Sequence, residues 1–322
     1  MNSRADIQKS EKIRAYMAWG AVCIAWGTTY LAIRIGVQAL PPALFAGIRF
    51  LLAGLIFVTA LRFRGYTLPR KNELVDLAVV GVALLAVANG TVVWAEQWIP
   101  SGLAALIVAT LPFWMVGIES FLPQGDKLSF RKVCGIAIGF LGLVLLLWPD
   151  LQGAVDPGYL KGVLVILIAP LSWGAGSIYS KYRKIKTRPL MAAAVQMLIA
   201  GIVLTIAGAI KGEFAHFNFS AQGWAALGYL VVFGSLVGYS SYIYALAHLP
   251  AAMVSTYAYI NPIIAVILGW LVLGERLDWL VAVSTAIILL GVVLVKASPS
   301  RKKEIRARRF IPQDEVEQSS TV

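Results

Sequence analysis

Ten apolar stretches separated by short polar connections run along the chain, at about residues 15–37, 43–62, 76–97, 101–122, 131–148, 159–180, 189–210, 223–246, 251–273 and 278–296. Each is close to the roughly 20 residues that a helix needs to cross the hydrocarbon core of a bilayer. Backbone groups in hydrocarbon must find their hydrogen bonds within the protein, so stretches of this length predict transmembrane helices and an all-α integral membrane protein. The first stretch exceeds the apolar core of a signal peptide and no clear small-residue cleavage site follows it, so it is expected to be retained. These stretches are called the first to tenth segments below.

The residues that punctuate the segments recur at an offset of 147 to 150 positions. Ala25-Trp26-Gly27 corresponds to Ser172-Trp173-Gly174, Arg34 to Lys181, and Pro42 to Pro189. Further along, Trp94-Ala95 corresponds to Tyr244-Ala245, Pro100 to Pro250, Pro112 to Pro262, and Gly125-Asp126-Lys127-Leu128 to Gly274-Glu275-Arg276-Leu277. Each copy holds five segments. An odd number makes the second copy enter the membrane in the opposite sense, so the expected architecture is ten transmembrane helices in two inverted five-helix repeats. The corresponding division is a tail at 1–14, a first repeat at 15–148, an external linker of turn formers at 149–158, a second repeat at 159–297, and a basic polar tail at 298–322.

Composition agrees with burial in lipid: of 322 residues, 59% are hydrophobic and 14% charged, and the mean hydropathy is +0.77. A net charge of +12 would suit nucleic acid, but its placement speaks for membrane topology instead. Basic residues gather in alternate connections, around Arg62 to Lys71, Arg131 and Lys132, Lys181 to Arg188, and Arg301 to Arg309. The opposite connections carry Lys161, Lys211 and Arg276. The positive-inside rule then places both termini in the cytoplasm and makes the lipid bilayer, not nucleic acid, the expected environment. Two cysteines, Cys23 and Cys134, and two histidines, His216 and His248, offer neither a zinc cluster nor a Cys/His catalytic pair. No metal, cofactor or enzymatic activity is expected. The spacings Gly135-x3-Gly139 and Gly234-x3-Gly238 allow close helix approach, either within one chain or across a homodimer.

Polar atoms at membrane depth are costly, so those present should be satisfied by neighbours or face a watery cavity. They fall in matched segments of the two copies: Trp26, Thr29 and Tyr30 in the first; Asn89 and Trp94 in the third; Trp173 and Ser177 in the sixth; Ser235, Tyr239 and Tyr242 in the eighth; Tyr257 and Asn261 in the ninth. Helical spacing puts Ser235, Tyr239 and Tyr242 on one face, and Tyr257 and Asn261 on another. These stripes suit a cavity for a small, partly apolar, amine-bearing or aromatic solute, because aromatic rings offer apolar walls and attract cations. A helix-packing stripe would use the same residues. Pro112 and Pro262 sit at equivalent mid-segment positions and should kink their helices. Three charges stand out as pairing or gating candidates: Arg49, Glu96 and Glu119. Arg49 lies about 10 Å deep at 1.5 Å per residue and should have a partner. A structural pair with Glu96 is one reading, and contact with a charged group of the solute is the other. Glu119 and Arg34 fall near opposite membrane faces, where snorkelling suffices.

Together, Trp26-Gly27-Thr28-Thr29-Tyr30 followed by Arg34, Pro41-Pro42 followed by Gly47-x-Arg49-Phe50, Ala95-Glu96 followed by Pro100-Ser101-Gly102, and the later run Tyr257-Ala258-Tyr259-Ile260-Asn261-Pro262 resemble the EamA branch of the drug/metabolite transporter superfamily. The resemblance spans about residues 14–297. It implies a bundle of two inverted EamA repeats, with a central cavity lined by the first, third, fourth, sixth, eighth and ninth segments. It also implies a multi-pass protein of the bacterial inner membrane that exports amino acids, related metabolites or drugs. An uptake facilitator or exchanger is the alternative direction of transport, and a non-transporting membrane protein the alternative class.

Overall fold

The computed structural model describes residues 4–123, 128–152, 156–183, 185–217, 220–249, 254 and 256–296. All regular structure among them is helical. Among the described residues, eight helical stretches are long and apolar enough to cross a membrane: Glu11–Ala39, Pro42–Phe63, Lys71–Ala95, Ser101–Phe121, Phe130–Trp148, Pro157–Tyr182, Pro189–Ile210 and Ala221–Tyr242. Two shorter apolar helices follow, Tyr257–Leu273 and Trp279–Val295. The expected start of the ninth segment at 251–253, residues 153–155 of the linker and the tail from 298 lie outside the described residues.

Helix starts are set by proline and by borrowed carboxylates. The second and seventh segments both place proline, Pro42 and Pro189, at the first helical position, where a missing N–H costs nothing. Glu213, which follows the seventh segment, accepts hydrogen bonds from the Ala43 and Leu44 N–H groups at the start of the second (3.4 and 2.8 Å). Conversely Glu73, which follows the second, accepts from the Lys186 and Thr187 N–H groups just before the seventh. Glu275 likewise takes the Ser101 and Gly102 N–H groups (2.7 and 3.1 Å) at the start of the fourth. Glu213 and Glu275 set a negative charge against the positive end of a helix and satisfy its orphaned first-turn donors, whereas Glu73 holds the connection just before the N-cap Arg188.

Glycine lets the two copies cross tightly. A Cβ on Gly54 would lie 2.8 Å from the Leu198 nitrogen, and one on Gly201 2.5 Å from the Leu51 nitrogen. Gly54 and Gly201 are equivalent positions, as are Leu51 and Leu198, so the contact is the same from either side. The fifth and tenth segments repeat the device: a Cβ on Gly142 would press Ile288, and one on Gly291 would press Gly139. Close helix approach through small residues is the main attraction available between helices in lipid. The Gly135-x3-Gly139 and Gly234-x3-Gly238 spacings therefore serve packing within the chain: Gly135 meets Gly291 and Val295, Gly139 meets Phe113, Gly234 meets Arg49 and Thr29, and Gly238 meets Trp26.

The bundle core gathers Phe45, Phe50, Ile33, Leu85, Ile107, Met191 and Met197, all essentially inaccessible. Large exposed apolar side chains such as Leu55, Leu141, Val144, Ile202 and Ile206 cover the outside, as a lipid-facing surface requires.

Replacing Gly201 by alanine should lower the melting temperature of the detergent-purified protein by several degrees, consistent with about 1–3 kcal/mol for overpacking. Gly228→Ala, whose new Cβ meets nothing within 4 Å, should melt with the wild type. Equal melting of both variants would refute the tight crossing.

Candidate functional site

Five of the apolar segments depart from regular α-helical geometry, the sixth by a turn at Leu167 between Pro157–Ile166 and Ile168–Tyr182, and the third and eighth do so in related places. The third contains a π-helical stretch, Val82–Asn89, and the eighth contains another, Leu230–Val237, at almost the same repeat position. A π turn spreads its hydrogen bonds over five residues and leaves carbonyls open to other donors; such turns often mark functional positions. Here side chains from the first segment of the opposite copy take them. Trp26 Nε1 donates to the Gly234 carbonyl at 3.1 Å, and Ser172 Oγ donates to the Ala83 carbonyl at 2.8 Å. The first segment breaks at Thr28, whose hydroxyl bonds to the Ile24 and Ala25 carbonyls and lies 2.6 Å from the Tyr229 hydroxyl.

The fourth segment is interrupted between Ser101–Val108 and Leu111–Phe121, with Pro112 near the start of the second piece. The expected kink at Pro112 is thus a break just before it, stabilised by the Thr110 hydroxyl on the Ile107 carbonyl (2.6 Å). Pro262 lies within the continuous helix Tyr257–Leu273. Lacking an N–H, these prolines cannot bond the carbonyls four residues earlier, at Val108 and Ala258. Val108 and Ala258 are equivalent positions, and both line the same cavity.

That cavity, about 120 Å³ in volume, sits where the departures converge. The first segment contributes Trp26, Thr29, Tyr30 and Ile33; the second Arg49 and Phe50; the third Leu85, Ala88, Asn89 and Val92. The fourth contributes Ala105, Val108, Ala109 and Leu111, and the sixth Ala169, Pro170 and Trp173. Gly234 and Tyr239 come from the eighth, and Tyr257, Ala258, Asn261 and Pro262 from the ninth. Of the six segments implied by the family resemblance all contribute, and the second joins them. A second cavity of about 390 Å³ lies beyond, lined by Ser177 and Tyr242 and reaching Arg183, Ile185 and Thr187. Trp26, Trp173, Tyr239 and Tyr257 border both, so an aromatic partition divides them. Trp26 packs on Tyr239, Tyr242 and Tyr257 with ring centroids 5.6, 5.3 and 5.0 Å apart. Asn261 lies against the Cys23 and Tyr257 carbonyls, to which its amide nitrogen can donate at 3.1 Å each.

The expected Arg49–Glu96 pair does not form. Arg49, 4% exposed, donates through Nε to Ser235 Oγ (3.2 Å) and through Nη1 to Asn89 Oδ1 (3.4 Å). Asn89 precedes Glu96 by seven residues, about 10 Å along a helix, and Arg49 reaches the level of the amide. Glu96 is fully buried, and neither carboxylate oxygen has a hydrogen-bond partner. Its backbone carbonyl, not its carboxylate, accepts from Arg34, so Arg34 is engaged rather than merely snorkelling. Ser235, expected on the cavity wall, is buried behind it as the Arg49 partner. Trp94, also expected there, instead stacks edge-on with Trp98 in a separate cluster, with Lys161 and Lys211 each 4.8 Å from its ring.

At the other end, the sixth segment is tied down by two carboxylates. Glu119 binds Lys181 and Tyr182, and Asp76 binds the Tyr179 hydroxyl (2.6 Å) and Arg183 (3.2 Å). Asp76 and Tyr229 carry no signal in the sequence pattern, and Ser172, Lys161 and Lys211 stand out there only as repeat or topology markers. Tyr229 and Ser172 matter only because of backbone irregularities that no motif announces, while Asp76 sits beside a basic connection.

A carboxylate that accepts a hydrogen bond loses about 1.5–3 kcal/mol when that bond is removed. Glu96→Gln should therefore leave the melting temperature unchanged or raise it, since neither carboxylate oxygen has a hydrogen bond to lose. A drop of several degrees would show a partner.

Comparison with known proteins places this geometry in a family. The model for the EamA-like transporter family matches residues 14–148 and again 160–297. Over 276 residues the chain is 40% identical to the uncharacterized inner membrane transporter YedA of Escherichia coli strain K12, covering 85% of this chain and 88% of that one. It is also 27% identical to Protein PagO of Salmonella typhimurium, over 88% of this chain and 91% of its counterpart. A solved crystal structure superposes with a TM-score of 0.61 at 20% identity, over 87% of this chain and 96% of the other, and so shares its fold. Two successive family matches that together span nearly the whole bundle make this chain a member of the EamA-like transporter family.

Proposed function

We propose that the protein is a secondary transporter of the bacterial inner membrane that exports small metabolites or drugs by alternating access between two inverted repeats of five helices. The observation that carries the reading is the cavity's lining: equivalent residues of both copies, Trp26 with Trp173, Val108 with Ala258 and Leu111 with Asn261, face one space. A site on the boundary between matched halves is where rocking of one half against the other would expose it to either side. The reciprocal glycine crossings and exchanged helix caps fit a two-fold relation between copies, and five segments per copy fit inversion. Alternate basic connections favour cytoplasmic termini. On that orientation the second cavity, which reaches Arg183 and Thr187, leads to the cytoplasm, the side from which an exporter loads. Names of relatives as inner membrane transporters support the location.

The test is flux in proteoliposomes across a panel of amino acids, aromatic amines and cationic dyes, with and without a proton gradient. Saturable movement out of the loading side is expected for at least one class; no movement of any class would defeat the transport reading. Trp26→Ala, Trp173→Ala and Tyr239→Ala, each removing part of the partition, should cut that flux by tenfold or more while membrane insertion stays normal. Wild-type rates in all three would remove the cavity from the transport path.

A further inference from the structure

Arg49 is the single charged residue among those lining the cavity. No carboxylate lies within 4.0 Å of it among the described residues, where the ion pairs are Lys181–Glu119 and Arg183–Asp76. Its two hydrogen bonds go to neutral acceptors, Ser235 Oγ and Asn89 Oδ1. A guanidinium has five N–H donors in a planar fork, so most of its donor capacity remains. The Nη2 end sits beside Gly234, where a Cβ would stand 3.0 Å away, and glycine keeps that approach open. A buried cation with neither counter-ion nor full hydrogen bonding is costly in a membrane interior, and such residues mark ligand and ion sites.

The surroundings narrow the ligand. One guanidinium, with no lysine or second arginine beside it in the lining, matches a singly charged anion rather than a doubly charged phosphate. The fork geometry suits the two oxygens of a carboxylate. Apart from Thr29, Asn89 and Asn261, the remaining walls, among them Trp26, Ile33, Leu85, Trp173 and Tyr257, are apolar or aromatic. Building on the transporter reading, we propose that Arg49 anchors the carboxylate of the transported solute, a small molecule whose other part is apolar or aromatic.

The arrangement also links the anchor to both copies. Nε holds Ser235 in the π stretch Leu230–Val237, and Nη1 holds Asn89 in the π stretch Val82–Asn89. An anion that draws the guanidinium towards the cavity pulls on one irregular helix from each repeat at once.

The experiment compares acids with their neutral amides by thermal shift of the purified wild-type protein: phenylalanine with phenylalaninamide, leucine with leucinamide, and 3-phenylpropionate with 3-phenylpropionamide. In at least one pair the acid should raise the melting temperature and the amide should need at least about tenfold more ligand, the weakening expected when a charge-assisted hydrogen bond is lost. Arg49→Gln should erase the difference between acid and amide, and Arg49→Lys should retain part of it. Gly234→Ala should weaken the acid by crowding Nη2. Equal shifts for acids and amides in the wild type, or no shift with any acid, overturn the proposal, and this comparison does not depend on a variant folding. Binding and flux fail separately. Flux of amides or dyes without preference for acids sinks the anchor and leaves transport standing, whereas acid binding without flux sinks transport and leaves the anchor.

Discussion

In hydrocarbon a peptide group that leaves its helical partner has no water to turn to. That constraint explains why the irregular stretches of this bundle and its interior polar side chains occur together. The π stretches of the third and eighth segments, the break at Thr28 and the interruption before Pro112 each open backbone groups, and Trp26, Ser172, Thr28, Tyr229 and Thr110 close them. Several residues that look like ligand contacts in a list are thus also structural. Trp26 is the clearest case, since its ring edges the cavity while its N–H holds a carbonyl of the eighth segment.

The same constraint divides the bundle into a fixed part and an adaptable one. The second and seventh segments lock through Gly54 and Gly201, and the fifth and tenth lock through Gly142 and Gly291, with regular helices and backbones in near contact. The first, third, fourth, sixth and eighth, which carry the breaks and π turns, surround the cavity. Regular helices joined by glycine crossings resist deformation, whereas an interrupted helix bends at the interruption. The interruptions are thus concentrated around the cavity, and of the four glycine-locked helices only the second reaches it, through Arg49 and Phe50.

Length and hydropathy made the segments legible, because a bilayer dictates both, and the repeat was legible because Trp26/Trp173, Pro42/Pro189 and Pro112/Pro262 survive in both copies. Most of the cavity was legible too: Thr29, Tyr30, Asn89, Trp173, Tyr239, Tyr257 and Asn261 line it with Trp26. What failed was depth and rotation. Trp94 and Asn89 are five residues apart on an irregular helix, and only Asn89 turns inward. Charge alone points Arg49 to Glu96, but its height along the bundle brings it to Asn89 and, from the other copy, to Ser235. A π stretch changes the rotation of everything after it, and its sequence, Val82 to Asn89, reads as ordinary apolar helix. The eighth segment hides its π stretch in the same way, so its spacing points Ser235 to the cavity wall although Ser235 lies behind it, bonded to Arg49.

The exchanged caps bear on how the protein is made. Glu213 is 170 residues downstream of Ala43, so the start of the second helix enters the membrane long before its cap has been synthesised. Glu73 waits similarly for Lys186, 113 residues later. Until the second half is made, the first therefore has a helix start whose donors lack their carboxylate and a Glu73 carboxylate held by Arg70 N–H alone. A cell that stalls synthesis in the linker holds a polypeptide whose own code supplies both halves of a clasp but has delivered one.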